Sequence, residues 1–277
     1  MVTLPPQSGL PMPSEPHQVR EIAESFGTDA QRYERTRPGY PDAMVDAILA
    51  ATPGRRVLDV GTGTGISARG FHQRGCQVLG VEPDEEMARV ARHSGLDVEI
   101  ATFEDWDPAG RVFDLVIAGQ AWHWVNPVAG ASKATHVLDP AGRIALFWNA
   151  MAFPAALAPG FAAVYRRVLP DFPFFQSGMP SGTESYTPLT AKAVAGIRQT
   201  QRFTDPEQWR FDWERAYTTE QWLDTVPTFG GHSRIPPEKL GELLEELGHL
   251  IDDAGGTFTM GYTALVVTAT RTDTHRG

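Results

Sequence analysis

Two acids and three glycines carry the clearest chemical signal in the chain. Asp59 closes an apolar run, Gly61, Gly63 and Gly65 follow at alternate positions before a helical stretch, and Glu82 closes the next apolar run. Glycines so spaced let backbone approach a ligand closely, and the following helix start offers free N–H groups and a positive dipole end to an anion. Gly63-Thr64-Gly65-Ile66-Ser67-Ala68 also fits the looser G-x-G-x-x-A dinucleotide pattern, with Glu82 about 20 residues on, where a ribose-binding acid belongs. Asp59 separates the two readings. A carboxylate just ahead of the glycines repels a pyrophosphate but suits a ligand bearing an ammonium and a sulfonium. S-adenosylmethionine carries both, with a carboxylate for the helix end and a ribose for Glu82. The rivals are an NAD(P)-dependent oxidoreductase and a non-catalytic S-adenosylmethionine-binding regulator.

The elements that must position these residues read as alternating strands and helices. Apolar runs bounded by turn signals at Arg56 to Val60, Gln77 to Val81, Val98 to Ala101, Val112 to Ala118 and Arg143 to Trp148 predict buried parallel strands. Helical stretches at Gly65 to Arg74, Asp84 to His93 and Pro127 to Leu138 separate them, which predicts a doubly wound α/β sheet. Ahead of this core lie helical stretches at Val19 to Phe26, Asp29 to Arg35 and Asp42 to Ala51, the second opened by Thr28 and Gln31 at capping-box spacing. After Ala150 come an Ala-rich helix (Ala155 to Leu169), an aromatic loop (Pro170 to Phe175), a Gly/Ser/Pro-rich stretch and another helix. Trp209, Phe211 and Trp213 then alternate at strand period, and Thr218 with Gln221 caps a helix. Leucines from Leu240 to Leu250, with Ile251, mark a packing helix, and Thr257 to Thr270 is expected to pair antiparallel with the 207–213 strand.

The predicted units are a disordered Pro-rich tail at 1–18, a helical lid at 19–54 and an α/β core at 55–150. A helical cap at 151–206 and closing strands with a helix at 207–277 complete the chain. With 24 Lys and Arg against 34 Asp and Glu, the formal charge of −10 argues against nucleic-acid binding. The lone Cys76 excludes an internal disulfide and fits a reducing compartment, so a cytoplasmic address is expected. No apolar stretch reaches the ~20 residues of a membrane span.

The residues from Asp59 to Gly65 resemble the first motif of the class I S-adenosylmethionine-dependent methyltransferases. Val78 to Asp84 is similar to the second motif, with Met87 where a cofactor-contacting methionine commonly falls. Ala101 to Trp106 is similar to the loop that cradles adenine, departing from it at Thr102, where many relatives place an Asp. Gln120-Ala121-Trp122-His123-Trp124 resembles a segment of a small-molecule branch, of the type 11/25-like kind. Phe26, Ala30, Tyr33, Arg37-Pro38 and Tyr40-Pro41 resemble that branch's lid.

The resemblance implies a Rossmann-like seven-stranded sheet with an antiparallel last strand pair and a helical insertion after strand 5. The implied cofactor set is Tyr33, Arg37, Asp59, Gly61, Gly63, Gly65, Glu82, Pro83, Met87, Phe103, Glu104 and Gln120. Glu82 would hold the ribose, Gln120 the amino-acid end, and Arg37 the carboxylate. Trp122, Trp124, Trp148 and Asn149 are expected to face substrate, and His123 is the best-placed candidate base. No metal is expected, since Gln120 and His123 lack the neighbouring acids a hard cation wants. The expected function is methyl transfer to a small, partly apolar or aromatic metabolite, at oxygen before nitrogen or carbon, by a monomer or homodimer.

Overall fold

A computed structural model describes residues 25–171 and 182–272. The expected Pro-rich tail, most of the Val19 to Phe26 stretch and the aromatic residues Phe172, Phe174 and Phe175 lie outside the described residues.

Seven strands form one sheet in the order β3-β2-β1-β4-β5-β7-β6. β1 (Arg56–Val60), β2 (Gln77–Glu82), β3 (Asp97–Ile100), β4 (Phe113–Gly119) and β5 (Leu138–Ala152) run parallel. β7 (Thr257–Thr270) pairs antiparallel with both β5 and β6 (Glu207–Thr218). β1, β2 and β4 read as apolar runs because helices cover both of their faces. On one face α2 (Asp42–Ala50), α3 (Ile66–His72) and α4 (Glu85–His93) bury Met44, Ile48, Phe71 and Ala88 against Val57, Leu115 and Phe147. On the other, α5 (Pro127–Val137) and α7 (Thr187–Thr200) bury Ala131, Ala134 and Ile197 against Leu58, Leu146 and Trp148. The order reverses between β1 and β4, and an open α/β sheet binds ligands at such a switch point, beyond the carboxyl ends of its strands.

The helical insertion between β5 and β6 comprises α6 (Ala158–Val168), a short turn at Thr183–Tyr186, and α7. A third apolar cluster joins it to the C-terminal part: Phe161 and Tyr165 of α6 meet Trp222 of α8 (Thr219–Thr225), Leu247 and Ile251 of α9 (Pro237–Asp253), and Phe258 and Met260 of β7. The capping box predicted at Thr218 and Gln221 is present. At the other end Asp29, not Thr28, caps α1 (Ala30–Thr36): its carboxylate accepts from the Arg32 N–H at 3.0 Å. A formal negative charge at a helix N-terminus outcompetes the neutral hydroxyl one residue earlier. β5 and β6 outrun their expected limits of Trp148 and Trp213, because β7 supplies partners as far as Gly261 for Ala152 and Thr257 for Thr218. No helix among the described residues is long and apolar enough to cross a membrane.

Candidate active site

The loop after β1 is shaped by its glycines. Gly61, Gly63 and Gly65 have φ of 66°, 56° and 91°, a left-handed region that side chains with a Cβ rarely enter. Gly61 N donates to Val81 O at 2.8 Å, which brings the loop beside the end of β2. There Glu82 accepts from Gly63 N through Oε2 at 2.8 Å and from Asp84 N through Oε1 at 3.0 Å. Asp59, fully buried beneath the loop, accepts from the hydroxyls of Thr62 and Ser67 through Oδ2, both at 2.7 Å. Its Oδ1 is buried without a partner. Burial, only partly offset by those hydroxyls, pushes Asp59 up to about 6; burial likewise pushes Glu82 up to about 7, against two backbone N–H bonds. Two desolvated acids around a glycine cradle, one with an unsatisfied oxygen, fit a ligand that is cationic at one end and rich in hydroxyls at the other.

Helix α1 and the turn after it pack on α4 and on the segment around α8. Tyr33 packs with Ala30, Met87 and Val90. Arg37 lies between the rings of Tyr33 and Phe229, at 5.0 and 4.9 Å, and donates to Thr228 O at 3.1 Å. Arg32 and Arg35 both grip Asp224 of α8, at 3.1 and 2.8 Å. Gln120, the residue after β4, is strained at φ 54°, and its side chain bonds that of Tyr186 in the insertion.

Residues 58–146 match the family model described as a methyltransferase domain. Over 133 residues the chain is 40% identical to an uncharacterized methyltransferase of Mycobacterium tuberculosis, covering 47% of this chain and 54% of that protein. It thus spans about half the length of that curated relative. Over 236 residues it is 27% identical to a trans-aconitate 2-methyltransferase of Mycolicibacterium gilvum, covering 79% of this chain and 86% of the other. Among solved structures, a candidate type II methyltransferase from Anaeromyxobacter dehalogenans shares the fold at a TM-score of 0.57 and 21% identity, over 84% of this chain and 97% of that one. Residues 58–146 thus carry a methyltransferase domain.

The remaining predicted residues of this methyltransferase domain fall into two groups. Pro83 is exposed in the turn where Asp84 caps α4, and Met87 is buried against Ala30 and Tyr33 of α1. Phe103 is buried against Trp106 and Trp122, while Glu104 Oε1 accepts from Asn126 N at 3.0 Å, so this pair ties the loop after β3 to the start of α5. Trp122 and Trp148, expected at the substrate, are core residues, 2% and 0% exposed. Trp148 acts at one remove: its indole N–H donates to His123 Nδ1 at 3.4 Å. Trp124 is half-buried beside His123. Asn149 differs again from expectation, because both ends of its amide are engaged, Nδ2 on Gly39 O at 2.8 Å and Oδ1 on the Trp213 N–H at 3.2 Å. It fastens the turn after α1 to β6.

The sequence reading missed Tyr186, Arg215, Tyr217 and Tyr262. Trp213, Arg215 and Tyr217 continue the alternation of Trp209 and Phe211 on one face of β6, and that periodicity was the available signal. Tyr217 and Tyr262 join hydroxyls at 2.7 Å, and Arg215 lies over the Tyr217 ring at 4.7 Å while donating to Thr36 O at 3.0 Å.

Proposed function

We propose that the protein transfers the methyl group of S-adenosylmethionine to an oxygen of a small, partly apolar acceptor held between the lid and the helical insertion. The observation that carries this reading is the left-handed glycine loop flanked by the buried carboxylates of Asp59 and Glu82. The likeness to a trans-aconitate 2-methyltransferase over most of both chains supports a small-molecule acceptor. S-adenosylmethionine, when bound, supplies a methyl carbon on a sulfonium, whose C–S bond breaks toward sulfur as an acceptor lone pair bonds to that carbon.

The chain's own part is alignment and exclusion of water. Glu82 would hold the ribose hydroxyls, Arg37 the amino-acid carboxylate, and Tyr33 with Met87 would line the same end of the cofactor. Gln120 orients the amino-acid end and, through Tyr186, ties the insertion to it. His123 takes a different part from the base expected. An indole N–H can only donate, so His123 Nδ1 accepts and the neutral ring carries its proton on Nε2. Burial lowers the imidazole pKa to about 4, which keeps that form in place near neutrality. His123 then serves as a hydrogen-bond donor that orients the acceptor oxygen.

A melting scan of the full chain with S-adenosylhomocysteine, NAD or NADP tests the cofactor assignment. Stabilisation by S-adenosylhomocysteine alone is expected, and stabilisation by a nicotinamide nucleotide alone refutes it. Incubation with methyl-labelled S-adenosylmethionine and a metabolite extract then tests turnover. A labelled small molecule is expected, and label confined to unreacted donor overturns the catalytic reading.

A further inference from the structure

Several arginines are paired with acids, among them Arg56 with Asp114, Arg74 with Asp42 and Asp46, Arg111 with Glu99 and Arg198 with Asp205, while Arg55, Arg92 and Arg271 bond main-chain carbonyls. Arg37 and Arg215 are set apart by standing together without an acid beside a pair of buried tyrosine hydroxyls. Both are half-buried, each gives one N–H to a main-chain carbonyl, and among the described residues neither has a carboxylate within ion-pair distance. Arg37 Nε is moreover buried with no partner. The two lie close together, since Arg215 binds the carbonyl of the residue preceding Arg37, and both guanidinium charges act on the hydroxyls of Tyr217 and Tyr262.

Those hydroxyls add to the imbalance. Burial raises both tyrosine pKa values, so both protons stay on, and the one bond between them uses a single proton and leaves the other to donate. Two guanidinium groups and a spare O–H, without an acid, form a donor cluster in a chain whose net charge is −10. Desolvated like charges of this kind are costly unless an anion joins them.

Charge balance says which anion. The cofactor brings one carboxylate, which Arg37 takes in the function proposed above, and one guanidinium is left over. We infer that Arg215, backed by the Tyr217–Tyr262 pair, binds a carboxylate of the methyl acceptor, so that the acceptor is an organic acid. Arg215 pairs with Met260, one register position beyond the Ala152–Gly261 pair that ends β5. It therefore stands at the outer end of the acceptor region, away from the glycine loop, and anchors the acid at the end remote from the reacting atom.

The inference rests on the methyltransferase reading for its acceptor, and its test is arranged to fail separately. The full chain, free and saturated with S-adenosylhomocysteine, is titrated calorimetrically with benzoate, cinnamate, hexanoate and adipate, each beside its amide. At least one acid is expected to bind about tenfold or more tightly than its amide. Arg215→Gln should abolish that preference while changing the affinity for S-adenosylhomocysteine less than about twofold, and Arg215→Lys should restore part of it. Melting curves of both variants check folding, and the lysine variant keeps the comparison valid should the glutamine variant be unstable. Acids bound no better than amides, or an Arg215→Gln loss that falls equally on S-adenosylhomocysteine, overturns the inference. Acid binding that depends on Arg215 in a protein that ignores S-adenosylhomocysteine upholds the anion site and refutes the methyltransferase reading instead.

Discussion

Replacing Glu82 with Gln tests the electrostatics of the cofactor cradle without any substrate. A carboxyl whose pKa rises from 4.5 to about 7 on folding is more protonated in the native than in the unfolded chain between those values. Native stability is then fully present below the unfolded pKa and is lost as pH rises through the folded one. At about 1.4 kcal/mol per pH unit the loss approaches about 3 kcal/mol by pH 8. The Gln variant removes this titration. It retains one acceptor for Gly63 N or Asp84 N and sets an N–H2 against the other, a cost of about 1–3 kcal/mol that does not vary with pH. Urea unfolding of both proteins without cofactor, from pH 4.5 to 8, should show the wild type more stable at the acid end and the gap closing or reversing toward pH 8. Asp59 titrates in both proteins and largely cancels. S-adenosylhomocysteine should stabilise the wild type and act weakly on the variant. Stability curves that run parallel across the pH range would refute the desolvated, protonated Glu82.

Three further outcomes follow from single contacts. Gly63→Ala forces a Cβ into a backbone at φ 56°, and although only Met87 Cε stands near, at 3.5 Å, the strain should cost about 1–2 kcal/mol in chemical denaturation and weaken S-adenosylhomocysteine binding in titration calorimetry. The imidazole of His123 has a folded pKa of about 4 against 6.5, so its contribution to stability is lost as pH falls below 6.5; His123→Gln should flatten part of that acid limb in pH-dependent melting, buried His232 supplying a similar share, and should remove no inflection near 6.5 from the pH profile of turnover. Asp224→Asn loosens Arg32 and Arg35 together; with those arginines more than a third exposed, equilibrium stability should fall by no more than about 1 kcal/mol, while stopped-flow release of S-adenosylhomocysteine accelerates as the lid is freed.

The parts of the fold that could be read from the chain are those whose signal is local. A strand buried on both faces must be apolar throughout, so β1, β2 and β4 stood out as runs ending at turns, and the glycines after Asp59 marked a backbone that only glycine adopts. The acceptor side was less legible because its residues are placed by partners far away in sequence. Trp148 looks like a pocket aromatic at a strand end, yet α5 and α7 cover it; Asn149 looks like a polar pocket residue, yet Gly39 and Trp213 consume its amide. Arg215 was hidden for a related reason. The alternation along β6 reads as a strand while aromatic residues carry it, and Glu214-Arg215-Ala216 interrupts the apolar pattern although pairing with β7 continues unbroken.

Across the carboxyl ends of the strands the polarity of the site changes sign. Asp59 and Glu82, both acids, stand at β1 and β2; Arg215, a base without an acid, stands on β6 at the other side of the sheet; His123, kept neutral, lies between them just beyond β4. A cationic donor and an anionic acceptor would be drawn to opposite ends and attracted to one another across the middle, which aligns the reacting atoms through charges fixed in the fold rather than through a proton relay. The same polarity bears on turnover. Methyl transfer removes the sulfonium charge, so in the proposed reaction Asp59 and Glu82 would hold the spent donor less strongly than the fresh one. With desolvation pushing both acids toward protonation, Glu82 can recover its proton when that charge is gone. Release of the product would then be favoured by the same burial that makes the empty cradle sensitive to pH.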